Sequence, residues 1–326
     1  VYRTKTGELA LNEMDRIGEK EGEDMDQINI PDYDFINLDA YIEGNLRTNT
    51  TIRENAPVWV TRGCPYRCAF CSAPHLNGKP IRTHSVDYMV KWVKYLYYEK
   101  GIRWINIIDD NFTYHVKYAE EFCNRIIELD LKDLKFGTPN GIRMGRGNLK
   151  LWKLMKRAGW DILIVAPETG SQKVADFMEK DIDLQTVPQI VEDIKKADLK
   201  VHCFLIIGYP GETVEDLKMT EKMIKENNFN FFGLHRFQPL PGTPVYDELV
   251  EKGEIKDGLL PANYIEGTSP YVTSGLKDFN FSKFIFKNYL LMALRDPMNI
   301  PYVLTLFHPN FFIKKFSAHF RQIFNA

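Results

Sequence analysis

From residue 57 onward, short apolar runs alternate about six times with stretches whose apolar residues recur at helical spacing, and this alternation limits the fold more than any other feature. The runs fall at 58–60, 104–108, 134–136, 162–165, 201–207 and 229–234. Between the first two, Val86, Met89, Val90, Val93, Leu96 and Tyr97 keep to one helical face, and Gly101 follows Lys100 where a C-terminal cap belongs. Val116, Ala119, Cys123, Ile126 and Ile127 repeat the pattern before the third run, and Leu151, Leu154 and Met155 follow it with Gly159 as the stop. Further helices are expected near 173–178, 187–197 and 214–226. Such alternation predicts parallel strands joined by helical crossovers. Six units fall short of the eight that close a barrel. The expected fold class is therefore α/β, a partial, open (β/α)6 TIM-like barrel over residues 51–250, with a doubly wound sheet as the alternative.

The flanks read differently. Residues 1–12 form two short extended pieces around Thr6-Gly7-Glu8, which suits a hairpin. Residues 13–34 then carry nine acids against two bases, the composition of a solvated linker, so 1–50 is expected to be a hairpin and an acidic linker. Residues 251–326 are expected to form a mostly helical, aromatic extension. From 297 to 326 there is no acid, while Lys314, Lys315 and Arg321 sit among Phe311, Phe312, Phe316 and Phe320. Contact with a membrane surface is one reading of that segment; a helix closing the barrel or a subunit contact is the favoured one.

Charge and length exclude several classes. There are 42 Lys+Arg against 44 Asp+Glu, a formal net charge of −2, so the basic excess of a nucleic-acid binder is missing. No run approaches the roughly 18 apolar residues of a membrane span, and no signal peptide opens the sequence, so a cytoplasmic location is expected.

Three of the five cysteines fall in the loop after the first strand, as Cys64-Pro65-Tyr66-Arg67-Cys68-Ala69-Phe70-Cys71. A disulfide framework is a poor reading of so tight a C-x3-C-x2-C run; thiolates at these spacings converge on one inorganic centre. Three thiolates on a four-iron cluster leave one iron open to a substrate, as a catalytic metal site keeps an open position. The competing reading is zinc, with His75 as a fourth ligand in a non-catalytic, metal-stabilised binding module. Cys123 and Cys203 lie inside an expected helix and strand, where a buried thiol is the ordinary explanation.

With Phe70 before its last cysteine, the motif resembles that of the radical S-adenosylmethionine (SAM) superfamily, and the resemblance extends over about residues 57 to 250. It implies that Cys64, Cys68 and Cys71 bind a [4Fe-4S] cluster whose fourth iron is chelated by SAM. Reductive cleavage of SAM then yields a radical that abstracts hydrogen from a substrate. It further implies that Phe70, Asp110, Arg143, Glu168 and Ser171 help place SAM. Asp110 stands in Asp109-Asp110-Asn111-Phe112-Thr113, where the family holds the methionyl amino group. Glu168 and Ser171 stand in Pro167-Glu168-Thr169-Gly170-Ser171, similar to the family's Glu-Ser-Gly-Ser element, and Arg143 matches a family arginine near SAM. Asp110 or Asn111 also reads simply as a helix cap, and Arg143 as a surface base.

The set Ile30-Pro31-Asp32-Tyr33-Asp34, Asp109-Asp110-Asn111-Phe112-Thr113, Gly208-Tyr209-Pro210-Gly211-Glu212-Thr213 and Pro241-Gly242-Thr243-Pro244-Val245-Tyr246 resembles the cobalamin-associated branch, which includes methyltransferases and enzymes like the anaerobic magnesium-protoporphyrin ester cyclase. That branch implies methyl transfer or carbon-skeleton chemistry, with cobalamin bound by an upstream domain that is expected to precede residue 1. His75-Leu76-Asn77-Gly78 repeats the end of the branch's Asp-x-His-x-x-Gly, but Ala73 stands at the acid's position. A methylthiotransferase is the alternative enzyme, expected to carry further cysteines upstream. An electron donor such as flavodoxin or ferredoxin is the expected partner.

Overall fold

The structure is a computed structural model, and it describes residues 2–3, 9–10, 24–36, 38, 54–258, 269, 271–297 and 300. Six parallel strands carry the fold: β1 (Asn55–Val58), β2 (Trp104–Ile107), β3 (Lys135–Gly137), β4 (Ile162–Glu168), β5 (Lys200–Ile207) and β6 (Phe231–Arg236). They form two three-stranded parallel sheets, β1-β2-β3 and β4-β5-β6. Parallel bridges Phe136↔Trp160 and Ile142↔Val165 join the two, so the strands run in sequence order around one curved surface. Among the described residues β1 pairs only with β2 and β6 only with β5, which leaves the cylinder open, as the count of six units predicts.

Helices α1 (Val86–Lys94), α2 (Val116–Glu128), α3 (Leu149–Ala158), α4 (Gln172–Phe177), α5 (Val187–Lys196), α6 (Val214–Glu226), α7 (Pro244–Glu251) and α8 (Phe281–Arg295) flank the strands. Side chains alternate along each strand, and Val58, Ile105, Ile107, Phe136, Leu163, Val165, Val201, Cys203, Leu205 and Ile207 join the helices in one buried core. The seam between the two sheets is aromatic: Trp160 stacks on Phe136 with centroids 4.6 Å apart, and Phe112 and Phe122 pack around them. The helix starts are capped as their sequence suggests. Ser85 Oγ accepts the Tyr88 N–H, Asn148 Oδ1 accepts the Leu151 N–H, and Thr213 with Asp216 forms a capping box. Gly159 closes α3 at φ +119°, and a Cβ there would stand 2.6 Å from the Leu134 carbonyl oxygen.

Three expectations shift. The first strand ends at Val58 rather than spanning 58–60, because the N–H groups of Val60 and Thr61 turn to the carboxylate of Asp109. β4 runs on to Glu168, with a register shift between Val165 and Glu168 where Pro167 supplies no ladder donor. Residues 24–36, read as solvated linker, lie against α1. Met25 and Tyr33 are buried, Asp26 Oδ1 accepts the Ser85 N–H at 2.9 Å and pairs with His84, and the Tyr88 hydroxyl donates to the Ile28 carbonyl.

The expected hairpin is present as Tyr2–Arg3 paired antiparallel with Leu9–Ala10. In the extension, α8 packs against β6 and α6: Tyr289 stacks on Phe232 and its hydroxyl accepts the Leu234 N–H, and Arg295 donates to the carbonyls of Ile224 and Lys225. The basic aromatic segment at 311–324 lies outside the described residues. Among the described residues no helix is long and apolar enough to cross a membrane.

Candidate functional site

The loop leaving β1 carries the three cysteines and is held in place by backbone bonds. Asp109, buried at the end of β2, accepts the N–H of Val60 and of Thr61, both at 2.8 Å, and the Thr61 hydroxyl at 2.9 Å. Gly63 sits at φ +96°, where a Cβ would stand 2.0 Å from the Pro80 carbonyl oxygen, so only glycine lets the chain turn there. The Cys64 N–H donates to Gly78, the Ala69 N–H to Met178, and the Val245 N–H to Ala69. The loop is thereby stitched to the exit of α4 and the start of α7, both on the side where the strands end.

All three thiols are partly buried and free. Burial pushes the Cys64 thiol up and the Cys71 thiol to about 11, and the neighbouring cysteines push each in the same direction. Thiols that feel one another's charge and are short of water are costly as thiolates unless a metal supplies positive charge, and coordination deprotonates them. The donor set thus fits an iron–sulfur cluster. His75 is exposed on the one-turn helix Ala73–Asn77, its ring beside Gly242. Among the described residues, no three His, Cys, Asp or Glu side chains are grouped to hold a single metal ion.

Two cations flank the loop. Arg143, beyond β3, places Nη1 3.8 Å from Cys68 Sγ and stacks its guanidinium 3.5 Å from the Tyr66 ring centroid. Its Nη2 donates to the carbonyls of Lys180 and Asp181. Lys180 is buried, with Nζ 2.7 Å from Glu168 Oε1 and 5.7 Å from the Phe70 ring centroid, and its charge favours the Cys71 thiolate.

The other expected SAM contacts gather on the same rim. Phe70 packs against the apolar cluster that holds Val174, Met178, Tyr209 and Phe237. Asp110 accepts from Asn77 Nδ2 at 3.0 Å and from the Gly63 N–H; burial raises its carboxyl above the ordinary range, and its charge reaches Cys64. Glu168 has φ +71°, a conformation rare outside glycine, set by the irregular end of β4. Such strain at a strand end marks a position that the surroundings hold for a purpose. The Ser171 hydroxyl is buried, donates to Asp216 Oδ1 at 2.7 Å and caps α4 by accepting the Val174 N–H. Cys123 and Cys203 are buried in α2 and β5, as expected of structural thiols.

Sequence reasoning missed Lys180 and Tyr66. Lys180 reads as one member of a charged run, Glu179-Lys180-Asp181, and nothing in spacing marks which of the three turns inward. The pair Asp109-Asp110 also divides its labour in a way that types alone do not show: Asp109 is the clamp and Asp110 faces the cysteines.

Residues 58–224 match the Radical SAM superfamily, and the chain belongs to it. The chain is 30% identical over 296 residues to an uncharacterized methyltransferase of Pyrococcus horikoshii, covering 90% of this chain and 61% of that one. It is 26% identical over 235 residues to an anaerobic magnesium-protoporphyrin IX monomethyl ester cyclase of Cereibacter sphaeroides, covering 72% of this chain and 37% of that one. Among solved structures, the radical SAM methyltransferase TsrM of Kitasatospora setae, with tryptophan and a SAM analog bound, superposes with a TM-score of 0.61 at 14% identity, over 72% of this chain and 51% of that one. The same enzyme with cobalamin and a [4Fe-4S] cluster bound gives 0.56. The likeness shows a shared fold, and the chain spans about a third to two thirds of these proteins' lengths. Membership in this superfamily implies a [4Fe-4S] cluster and SAM as cofactors and replaces the zinc-module reading.

Proposed function

We propose that the chain is a radical SAM enzyme in which Cys64, Cys68 and Cys71 hold the [4Fe-4S] cluster at the open mouth of the half-barrel. The observation that carries this is a single loop bearing three mutually close, half-buried thiols, clamped at its start by Asp109 at the end of β2 and bonded beyond it to the exit of α4 and the start of α7. When bound, the cluster and SAM supply a one-electron cleavage of the sulfonium that starts radical chemistry.

The chain's own residues bind, orient and exclude water. Asp110 offers a carboxylate to the methionyl ammonium, and Phe70 lines the rim from its place against Val174, Met178, Tyr209 and Phe237. Glu168, turned by its left-handed backbone, is the acceptor for the ribose, with Lys180 holding the carboxylate in place. Ser171 and Arg143 shape the floor through the loops they tie down, since their donors are engaged with Asp216 and with Cys68, Lys180 and Asp181. A reactive radical needs such enclosure more than acid–base groups.

Methyl transfer or carbon-skeleton modification is the outcome that relatives named methyltransferases and cyclases support, with cobalamin as a methyl carrier. The electron donor is a flavodoxin or ferredoxin, and the setting is the cytoplasm. Anaerobic reconstitution tests the reading: it is expected to load about four irons per chain with a broad band near roughly 400 nm. Incubation with SAM and dithionite is expected to release 5′-deoxyadenosine. One zinc and no colour, or a loaded cluster that never yields 5′-deoxyadenosine, overturns it.

A further inference from the structure

We infer that Arg143 is a positioning residue for the iron–sulfur cluster, fixing Cys68 and raising the cluster's reduction potential, and does not serve as a contact to SAM. The inference rests on the cluster proposed above. Each contact of the guanidinium lies on the cysteine loop or on the turn after α4. Nη1 points at Cys68 Sγ, Nη2 takes the carbonyls of Lys180 and Asp181, and the planar face covers Tyr66, two residues from both Cys64 and Cys68 by chain position. The Arg143 side chain is only 9% exposed, so its geometry is imposed by packing.

Its charge is also only weakly countered. The carboxylate within reach is that of Asp181, 3.9 Å away and 89% exposed, where water screens it. Lys180, by contrast, is paired with buried Glu168 at 2.7 Å. A largely enclosed cation whose ion pair is long and exposed, with an N–H directed at a cysteine sulfur, is one of the levers that set cluster potentials. Taking up one electron from an external reductant makes the cluster more negative by one unit. A fixed positive charge therefore favours the reduced form, and its removal lowers the potential.

The test uses the reconstituted full chain and the variants Arg143→Gln and Arg143→Lys, with iron and sulfide counted in each. Reduction is titrated anaerobically against mediators and followed by electron paramagnetic resonance; SAM affinity is measured by calorimetry on the oxidised protein. Arg143→Gln is expected to make reduction about tenfold less favourable, a shift of about −59 mV for one electron. Arg143→Lys keeps the charge but loses the planar fork, so it should fall between, and SAM affinity should stay within about twofold of the parent in both. If Arg143→Gln fails to load iron, Arg143→Met, which also removes the charge, decides in its place: a lowered potential supports the inference and a parental one overturns it. A parental potential with SAM affinity reduced tenfold would make Arg143 a SAM contact instead. Failure of the parent chain itself to load four irons would refute the cluster reading, a separate result.

Discussion

Gly170 offers the sharpest test of how packing sets the site. Its backbone is not in the left-handed region, so alanine there meets no conformational penalty of that kind; the obstacle is space. A Cβ would stand 2.5 Å from both the Met219 carbonyl oxygen and Thr220 Cα, backbone atoms of α6 that no rotamer change can move. Ordinary contact begins at 3.4 Å, so α6 and the exit of β4 must separate by about 0.9 Å. Overpacking of this kind costs about 1–3 kcal/mol. Stretching the 2.9 Å bond from the Gly170 N–H to Thr220 Oγ1 adds about 1 kcal/mol. Gly170→Ala should therefore lose about 3 kcal/mol in urea denaturation. Because Glu168 lies two residues back on the displaced segment, SAM should bind about tenfold more weakly, in line with the sensitivity of bound geometries to shifts near 1 Å. Gly101→Ala is the control: φ is +65° but nothing lies within 4 Å, so it should cost about 1 kcal/mol of backbone strain and leave SAM affinity unchanged. Parental stability in Gly170→Ala, or equal SAM affinity in the two variants, would refute the packing argument.

Two further outcomes follow from buried groups. Glu212 is fully buried with Oε2 accepting the N–H groups of Gly208 and Tyr209 and Oε1 unpartnered, and burial pushes its carboxyl from 4.5 up to about 8. A raised acid binds its proton more tightly when folded, so its contribution to stability is full below about pH 4.5 and disappears as pH rises through about 8. Denaturation midpoints measured from pH 5 to 9 should decline in the parent and stay flatter in Glu212→Gln; equal slopes would contradict this. Among the cysteines, Cys123→Ser and Cys203→Ser should keep about four irons per chain after reconstitution, whereas Cys71→Ser should lose the colour. Iron loss in the first two with retention in the third would reverse the ligand assignment.

The alternation of apolar runs and amphipathic helices made the open barrel legible, because burying a sheet on one side and a helix stripe on the other leaves a repeating trace along the chain. The helix bounds near 116–128, 187–196 and 214–226 could be read for the same reason. Strand ends were less legible, since a neighbour sets where pairing stops. β1 ends early because Asp109, 49 residues away from Val60, takes the next amides. The acidic stretch at 24–36 looked like linker because its charge is net negative, yet Tyr33 and Met25 bury themselves and Asp26 meets Ser85 and His84.

Sequence alone determined the family, since the short-spaced cysteine motif and the strand ends that follow it lie along the chain where they can be read, and it determined the alternation of strands and helices that carries them. Only the tertiary structure decided what each flanking side chain does. Ser171 turns to Asp216, Lys180 pairs with Glu168, and Arg143 points at Cys68, all through contacts between segments 12 to 75 residues apart. Ligand spacing within one loop is a local property written in the chain. Which donor a side chain reaches across a barrel depends on how the elements pack, and no short stretch of sequence records that.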